Sequence, residues 1–183
     1  VALLTGGRVK IGYQAGLKLL RAGAHLVVTT RFPRDSAARY AQEPDFGEWG
    51  HRLEVFGLDL RHTPIVEAFC HELIGKLPRL DFIINNACQT VRRPPEFYAH
   101  MMEAETAALH DTPEDVRNLL GSYEGLRSYN MLPDANSATT QLSIGGSGGN
   151  AGLTRSAELS QVPLLADELL GQKHLFPEGR LDQ

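Results

Sequence analysis

The chain opens on Val1-Ala2-Leu3-Leu4-Thr5-Gly6-Gly7-Arg8-Val9-Lys10-Ile11-Gly12, the stretch that decides its fold. Four apolar residues run into a glycine-rich turn, and behind the turn apolar residues recur at helical spacing, at positions 11, 15, 19 and 20. This pattern predicts a buried strand, a tight loop and the start of a helix. The free N–H groups and the positive dipole end of such a helix suit a phosphate, although a plain strand-to-helix turn has the same local pattern.

The alternation of strand and helix continues to residue 87. Continuous apolar and β-branched runs predict further strands over 24–31, 53–60 and 80–87. Helical spacing predicts helices over 11–21, from Pro33 onward and over 65–77, while the polar stretch 43–52 is predicted to be a loop. Strands that alternate with helices at this pace imply right-handed crossovers and a parallel sheet covered on both faces.

Several polar or glycine-containing positions follow the predicted strands directly. They are the glycine loop, Thr30 with Arg31, Asp59 and Asn86. In open parallel sheets, ligands bind at the carboxyl ends of the strands, near the point where the strand order reverses. The sequence therefore predicts that these positions come together around a dinucleotide.

The second half of the chain lacks this regularity. Its helical patterns predict a helix over 95–109 with Phe97, Met101 and Leu109 inward, a helix start at 112–115 and a short helix over 163–170. The stretch 145–152 is a Gly/Ser-rich loop by composition; a second phosphate loop is an alternative there, but no strand precedes it. We therefore divide the chain into a dinucleotide-binding unit, 1–110, and an irregular insertion with short helices, 111–183.

Composition and charge narrow the functional classes. With 42% hydrophobic and 22% charged residues in 183, the chain has the composition of a soluble globular protein. Residues 1–88 carry 11 Lys/Arg against 9 Asp/Glu, a net +2, and residues 89–183 carry 7 against 13, a net −6. Such a balance argues against nucleic acid as a partner, no apolar run is long enough to cross a membrane, and the histidines show no metal-ligand spacing. We expect a cytoplasmic protein that acts on a small molecule.

The first 90 residues resemble the cofactor-binding half of the short-chain dehydrogenase/reductase family. The family's Thr-Gly-x-x-x-Gly-x-Gly turn is approached by residues 5–12, its acidic residue after the third strand matches Asp59, and its Asn-Asn-Ala-Gly motif matches Asn85-Asn86-Ala87-Cys88. The resemblance implies a Rossmann-like, doubly wound parallel sheet, here incomplete with about four strands and followed by a mostly irregular or helical segment. It also implies a nicotinamide cofactor.

The resemblance assigns roles to individual positions. Gly6 would let the turn pass close to the cofactor, and Ile11 and Gly12 would lie by the pyrophosphate. Asp59 with Leu60 would frame the adenine, and Asn86 with Ala87 would lie beside the adenosine ribose. The simpler interpretations are that Asp59 caps the next helix and that Asn85 with Asn86 closes a turn.

The end of the second strand bears on which nicotinamide cofactor is bound. Family members that use NAD carry an acid there, whereas this chain has Thr30 and Arg31, about 20 residues beyond the glycine loop. Arg31 is a planar, permanent cation suited to a 2′-phosphate, so we predict NADP(H) over NAD(H). The alternative is that Arg31 is an ordinary solvated surface residue.

Two positions depart from the family motifs. Lys10 replaces the middle glycine of the turn, so it either pairs with phosphate or hinders binding; we favour pairing because Arg8 nearby also suits an anion. Cys88 replaces the motif's glycine, and we interpret it as a packing residue and not as a nucleophile. No residue of the chain is assigned a catalytic or metal-binding role.

The family's proton donor, a Tyr with a Lys four residues on, is not found. Four residues after the five tyrosines stand Leu17, Pro44, Met102, Arg127 and Pro133. Because the chain also starts without Met or lead-in residues, we expect a fragment of an NADP(H)-dependent oxidoreductase whose catalytic half lies elsewhere. A non-catalytic NAD(P)-binding or interaction module is the alternative, followed by another α/β enzyme such as a methyltransferase.

Four parallel strands would leave the fourth as a bare edge, so the intact protein is expected to be a homo-oligomer or to extend the sheet.

Overall fold

The computed structural model describes residues 1–88, 95–124 and 155–162. The strands are β1 (Ala2–Thr5), β2 (Leu26–Thr30), β3 (Leu53–Gly57) and β4 (Phe82–Asn85). The helices are α1 (Lys10–Arg21), α2 (Pro33–Ala41), α3 (Phe46–Trp49), α4 (Thr63–Lys76), α5 (Ala99–Thr106), α6 (Glu114–Leu119) and α7 (Ser156–Ser160), with 3-10 turns at Gly50–Arg52, Pro95–Tyr98 and Leu109–Asp111.

The four strands form one parallel sheet in the order β3-β2-β1-β4. Leu4 of β1 lies in register with Val28 of β2 on one side and Ile84 of β4 on the other. The predicted α/β architecture with a doubly wound parallel sheet is confirmed. The chain builds the sheet outward from β1 in one direction through β3 and then returns to place β4 on the other side. The strand order thus reverses between β1 and β4, which is where this fold opens a crevice for a ligand.

The core explains why these segments fold as they do. All five residues of β2 are buried, as expected of a strand that is covered on both faces, and Leu4, Val28 and Val55 are fully buried on three adjacent strands. Helix α1 buries Leu17 and Leu20 against the sheet. The observed bounds of β1 to β4, α1, α2 and α4 agree with the sequence expectations to within a few residues.

The stretch 43–52 differs from its prediction as a loop, because it contains α3 and a 3-10 turn. Trp49 is only 1% exposed and meets the ring of Tyr40 edge-on, with 6.2 Å between centroids. Phe46, one turn earlier, also packs edge-on against Trp49 at 5.4 Å. Two aromatic side chains on one face bury enough apolar surface to order a short helix, which the polar composition of the stretch concealed.

The described part of the second half packs against α2 and β3. Helices α5 and α6 both contact α2, and α6 also contacts β3. A second apolar cluster joins the two halves; its members are Phe32, Phe97, Tyr98, Met101 and Ala157. The predicted loop at 145–152 and helix at 163–170 lie outside the described residues, and the boundary at residue 110 stays a prediction.

Strand β4 forms an open border of the sheet. Within the described ranges it pairs with β1 alone, and Phe82 and Ile83 are 68% and 58% exposed. Among the residues that the structure describes, β4 is therefore the bare edge that the sequence predicts. No helix in the described part of the chain has the length and apolar character that crossing a membrane requires.

Candidate functional site

The ends of β1 and β4 are tied together by the motif that follows β4. The Asn86 side-chain amide donates to the main-chain oxygens of Thr5 and Gly6, at 3.3 and 3.0 Å. The backbone N–H of Ala87 donates to Thr5 Oγ1 at 3.0 Å. Residues about 80 positions apart in the sequence thus form one structure at the point where the strand order reverses, as the sequence predicted for Gly6 and Asn86.

Two glycines make this close approach possible. Gly6 has a φ of +69°, and a Cβ there would lie 2.9 Å from the Ala87 Cα. A Cβ on Gly12 would overlap the Gly6 carbonyl oxygen and the Asn86 amide. Any side chain at either position would push the glycine loop away from β4.

The start of α1 is open to an anion. Its N-cap residue, Val9, makes no capping side-chain hydrogen bond, and the first turn contains no acidic residue. Lys10 and Ile11 are exposed there. The N–H groups and dipole of this first turn fit a phosphate, and the exposed Lys10 adds a cation beside them.

The backbone of Lys10 is left-handed, a conformation that glycine adopts most readily. Its φ is +53°, a left-handed conformation that non-glycine residues adopt at a conformational cost. The Lys10 side chain is exposed on this turn.

Arg8 turns inward instead of toward the opening. Its Nη1 donates to Asp35 Oδ2 at 2.8 Å and to Met101 Sδ at 3.1 Å, and its guanidinium lies 5.6 Å from the centre of the Phe32 ring. The positive charge of Arg8 is therefore already paired with Asp35, in the first turn of α2.

Arg31 is half-buried between two aromatic rings. Its guanidinium carbon lies 4.6 Å from the Tyr98 ring centre and 5.5 Å from that of Phe32. Its main-chain oxygen accepts a hydrogen bond from Ser156 Oγ at 3.0 Å. Arg31 stands at the predicted place after β2, but it is stacked against the second half of the chain and is not a freely solvated residue.

Asp59 follows β3 and is paired with Arg61. The carboxylate is 1% exposed and accepts bonds of 2.7 to 3.0 Å from the Arg61 guanidinium and a further one from its backbone N–H. No capping bond to α4 is made, since the N-cap of α4 is His62, without a side-chain bond. Leu60 beside Asp59 is 46% exposed.

The structure thus brings some of the predicted site residues into direct contact and places the others at separate points around the ends of the strands. Gly6, Gly12, Asn86 and Ala87 are in direct contact. Lys10 and Ile11 lie at the open start of α1. Asp59 and Leu60 stand at the end of β3, and the cations Arg8 and Arg31 are each engaged by neighbouring residues.

Glu105 contacts the start of α2 and is not among the residues predicted from the sequence. Glu105 is 2% exposed and accepts hydrogen bonds from the backbone N–H groups of Arg34 and Asp35, at 3.2 and 2.9 Å. Burial raises the pKa of its carboxyl to about 7, against the opposing effect of these two hydrogen bonds. The signal for it was its position one helical turn after Met101, on the face already predicted to be buried.

Cys88 is exposed, so its interpretation as a packing residue is wrong. Cys88 follows β4, which lies at the edge of the sheet and pairs with β1 alone among the described residues. Among the residues that the structure describes, no group of three or more His, Cys, Asp or Glu side chains is arranged to hold a metal ion.

Comparisons with known proteins find one matching family and several relatives of the first half of the chain. A family profile described as short chain dehydrogenase matches residues 1–112. An uncharacterized protein of Acanthamoeba polyphaga mimivirus is 43% identical over 96 residues, covering 49% of this chain and 20% of the relative. Retinol dehydrogenase 14 of Mus musculus is 38% identical over 96 residues, covering 46% and 28%. The Fatty acyl-CoA reductase of Acinetobacter baylyi is 28% identical over 94 residues, covering 51% and 30%.

The chain therefore spans between about a fifth and a third of the length of these curated relatives. No solved structure matches the chain with significance.

Proposed function

The chain belongs to the short chain dehydrogenase family, and from this premise we propose that the intact protein is an NADP(H)-dependent oxidoreductase. The reaction is hydride transfer between the nicotinamide and a carbonyl or alcohol carbon of a small-molecule substrate. The names of two relatives, a retinol dehydrogenase and a fatty acyl-CoA reductase, indicate alcohol and carbonyl chemistry and support this reaction class.

One observation carries the proposal: the glycine loop after β1 and the Asn-Asn-Ala motif after β4 form a single hydrogen-bonded unit. Asn86 holds the Thr5 and Gly6 carbonyls, and both glycines that permit the contact are needed at their positions. This unit lies where an open parallel sheet binds a dinucleotide. Its first helical turn has free N–H groups and a neighbouring cation, which fit a pyrophosphate.

Within this site we assign the cofactor to residues of this chain. The start of α1, with Lys10, Ile11 and Gly12, would hold the pyrophosphate, and Asp59 with Leu60 would border the adenine. Asn86 and Ala87 would lie beside the adenosine ribose, with Gly6 under them. When bound, the nicotinamide accepts or donates the hydride; these residues orient it and exclude water from its phosphates.

We assign this chain no part in proton transfer. None of its tyrosines is followed four residues later by a lysine, so the dyad that the family uses is not formed within it.

Arg31 stands after β2, where a 2′-phosphate would be distinguished from a 2′-hydroxyl, and it is the reason that we propose NADP(H) in preference to NAD(H).

Nucleotide titrations of the 183-residue chain test this proposal. NADPH is expected to bind more tightly than NADH, and Arg31→Ala is expected to weaken NADPH about tenfold or more and to leave NADH unchanged, because only NADPH carries the 2′-phosphate. Lys10→Ala should weaken both nucleotides, since they share the pyrophosphate. Arg79→Ala is the matched control, since Arg79 is exposed and bonded to Asp81 at the amino end of β4.

Two results would contradict the proposal. Equal or tighter binding of NADH by the parent chain would refute the NADP(H) preference, and a Lys10→Ala chain that binds NADPH as tightly as the parent would refute the phosphate contact. A chain that binds neither nucleotide would end the cofactor assignment altogether.

We also propose that the intact protein is a cytoplasmic homo-oligomer with no nucleic-acid or membrane partner. The exposed Phe82 and Ile83 at the border of the sheet support self-association or further chain at that side, since apolar faces of this kind are rarely left in water. Light scattering of the intact protein after size-exclusion chromatography distinguishes a monomer from an oligomer.

A further inference from the structure

The stretch 98–105 lies across the start of α2, where β2 has just ended. Three of its side chains, from Tyr98, Met101 and Glu105, are buried there. They belong to one continuous segment, since Tyr98 precedes α5 and the other two stand one helical turn apart on α5. This segment covers the end of the site that we assign to the adenosine side of the cofactor.

Glu105 places a carboxylate on the start of α2. Its two oxygens accept the N–H groups of Arg34 and Asp35, at 3.2 and 2.9 Å. Unpaired N–H groups and the positive dipole end make such a position attractive for an anion. In this chain the anion at the start of α2 is the carboxylate of Glu105.

The same segment engages two cations of this end, Arg31 and Arg8. Tyr98 lies with its ring centre 4.6 Å from the Arg31 guanidinium, and Met101 Sδ is 3.1 Å from Arg8 Nη1. Arg8 also holds Asp35, the residue whose N–H is bonded to Glu105. The N–H groups at the start of α2 and the cations Arg8 and Arg31 are thus all in contact with the segment 98–105.

The carboxylate of Glu105 is held at an electrostatic cost. Burial raises the pKa of this group to about 7, even though the two backbone N–H groups and Arg34 act in the opposite direction. A monoanion that is poorly stabilised in its position is replaceable by a dianion that brings more charge to the same donors.

We propose that the segment 98–105 closes the 2′-phosphate position of the cofactor site and that Glu105 is the specificity-determining residue which a 2′-phosphate has to displace. This inference rests on the proposed function, because it presupposes that the crevice binds a nicotinamide dinucleotide. NADH, which has no 2′-phosphate, binds without displacing Glu105.

The experiment is a pair of fluorescence titrations, with NADPH and with NADH, on the 183-residue chain and two variants. Glu105→Gln removes the charge and keeps a side-chain oxygen that can accept one of the N–H groups. Glu103→Gln is the matched control, because Glu103 is an exposed carboxylate on the same helix. Glu105→Gln is expected to tighten NADPH binding about tenfold with NADH unchanged, and Glu103→Gln is expected to change neither.

The ratio of the two affinities separates the possible failures. If Glu105→Gln shifts NADPH and NADH equally, or shifts neither while both bind, the displacement is refuted and the proposed function stands. If the parent and both variants bind neither nucleotide, the proposed function fails and this inference fails with it.

A second measurement on the parent chain does not depend on the folding of a variant. Hydrogen–deuterium exchange of the amides in α5 is expected to accelerate at saturating NADPH, because Glu105 releases the start of α2, and to stay unchanged at saturating NADH. Slower or unchanged exchange in α5 with bound NADPH would overturn the proposal.

Discussion

Asn86→Ala tests the bond between the glycine loop and the motif after β4. The substitution removes two hydrogen bonds from the amide, at 3.0 Å to the Gly6 oxygen and 3.3 Å to the Thr5 oxygen. Each such bond contributes about 1 kcal/mol net, and the longer one contributes less, so the free energy of unfolding is expected to fall by about 1–2 kcal/mol. Asn86→Asp should cost more, because its carboxylate would face two carbonyl oxygens with no proton to donate.

The assay is urea unfolding of the parent and the variants, followed by circular dichroism. Asn85→Ala is the matched control, since the Asn85 side chain is exposed and its loss should change stability by less than about 0.5 kcal/mol. The structural reasoning is refuted if Asn86→Ala costs no more than Asn85→Ala, or if Asn86→Asp is tolerated better than Asn86→Ala.

Three further outcomes are expected. Tyr40→Phe removes the 2.9 Å bond from the buried hydroxyl to the Gly7 oxygen and should lower the free energy of unfolding by about 1 kcal/mol; an unchanged urea midpoint would contradict this. Arg34→Met should cost about 3–5 kcal/mol, because it leaves the buried Glu124 carboxylate without its guanidinium partner at 2.9 Å, and a smaller loss than for Tyr40→Phe would count against it. Because burial raises the Glu105 pKa from 4.5 to about 7, the stability it contributes is complete below pH 4.5 and is lost as the pH rises through 7. The parent should therefore lose up to about 3 kcal/mol relative to Glu105→Gln across that range, and parallel pH profiles would exclude this effect.

The sheet was predictable because its signals are local. A continuous apolar strand such as β2 and a helix bounded by Pro33 are each identified within about ten residues of sequence, and alternation then limits the topology to a parallel sheet. The stretch 43–52 failed as a prediction for the opposite reason. Its helix depends on Trp49 meeting Tyr40, a tertiary contact that the polar neighbours of Trp49 conceal.

The two ends of the candidate site also differ in whether they depend on local sequence motifs or on tertiary contacts. At the glycine loop, the groups that build the site are encoded in short motifs, so the sequence is enough to predict that Gly6, Gly12 and Asn86 come together. At the start of α2, the contacts join residues about 70 positions apart, and the partner of Glu105 is a pair of main-chain N–H groups that every sequence contains.

A motif comparison cannot detect such a partner, since Arg34 and Asp35 offer the same N–H groups whatever their side chains are. Arg31 shows the consequence. Its position after β2 is visible in the sequence, but its stacking on Tyr98 is visible only in the fold. A prediction of cofactor preference from the residues after β2 therefore has to include the segment packed over them, because that segment decides whether the predicted cation is available to a phosphate.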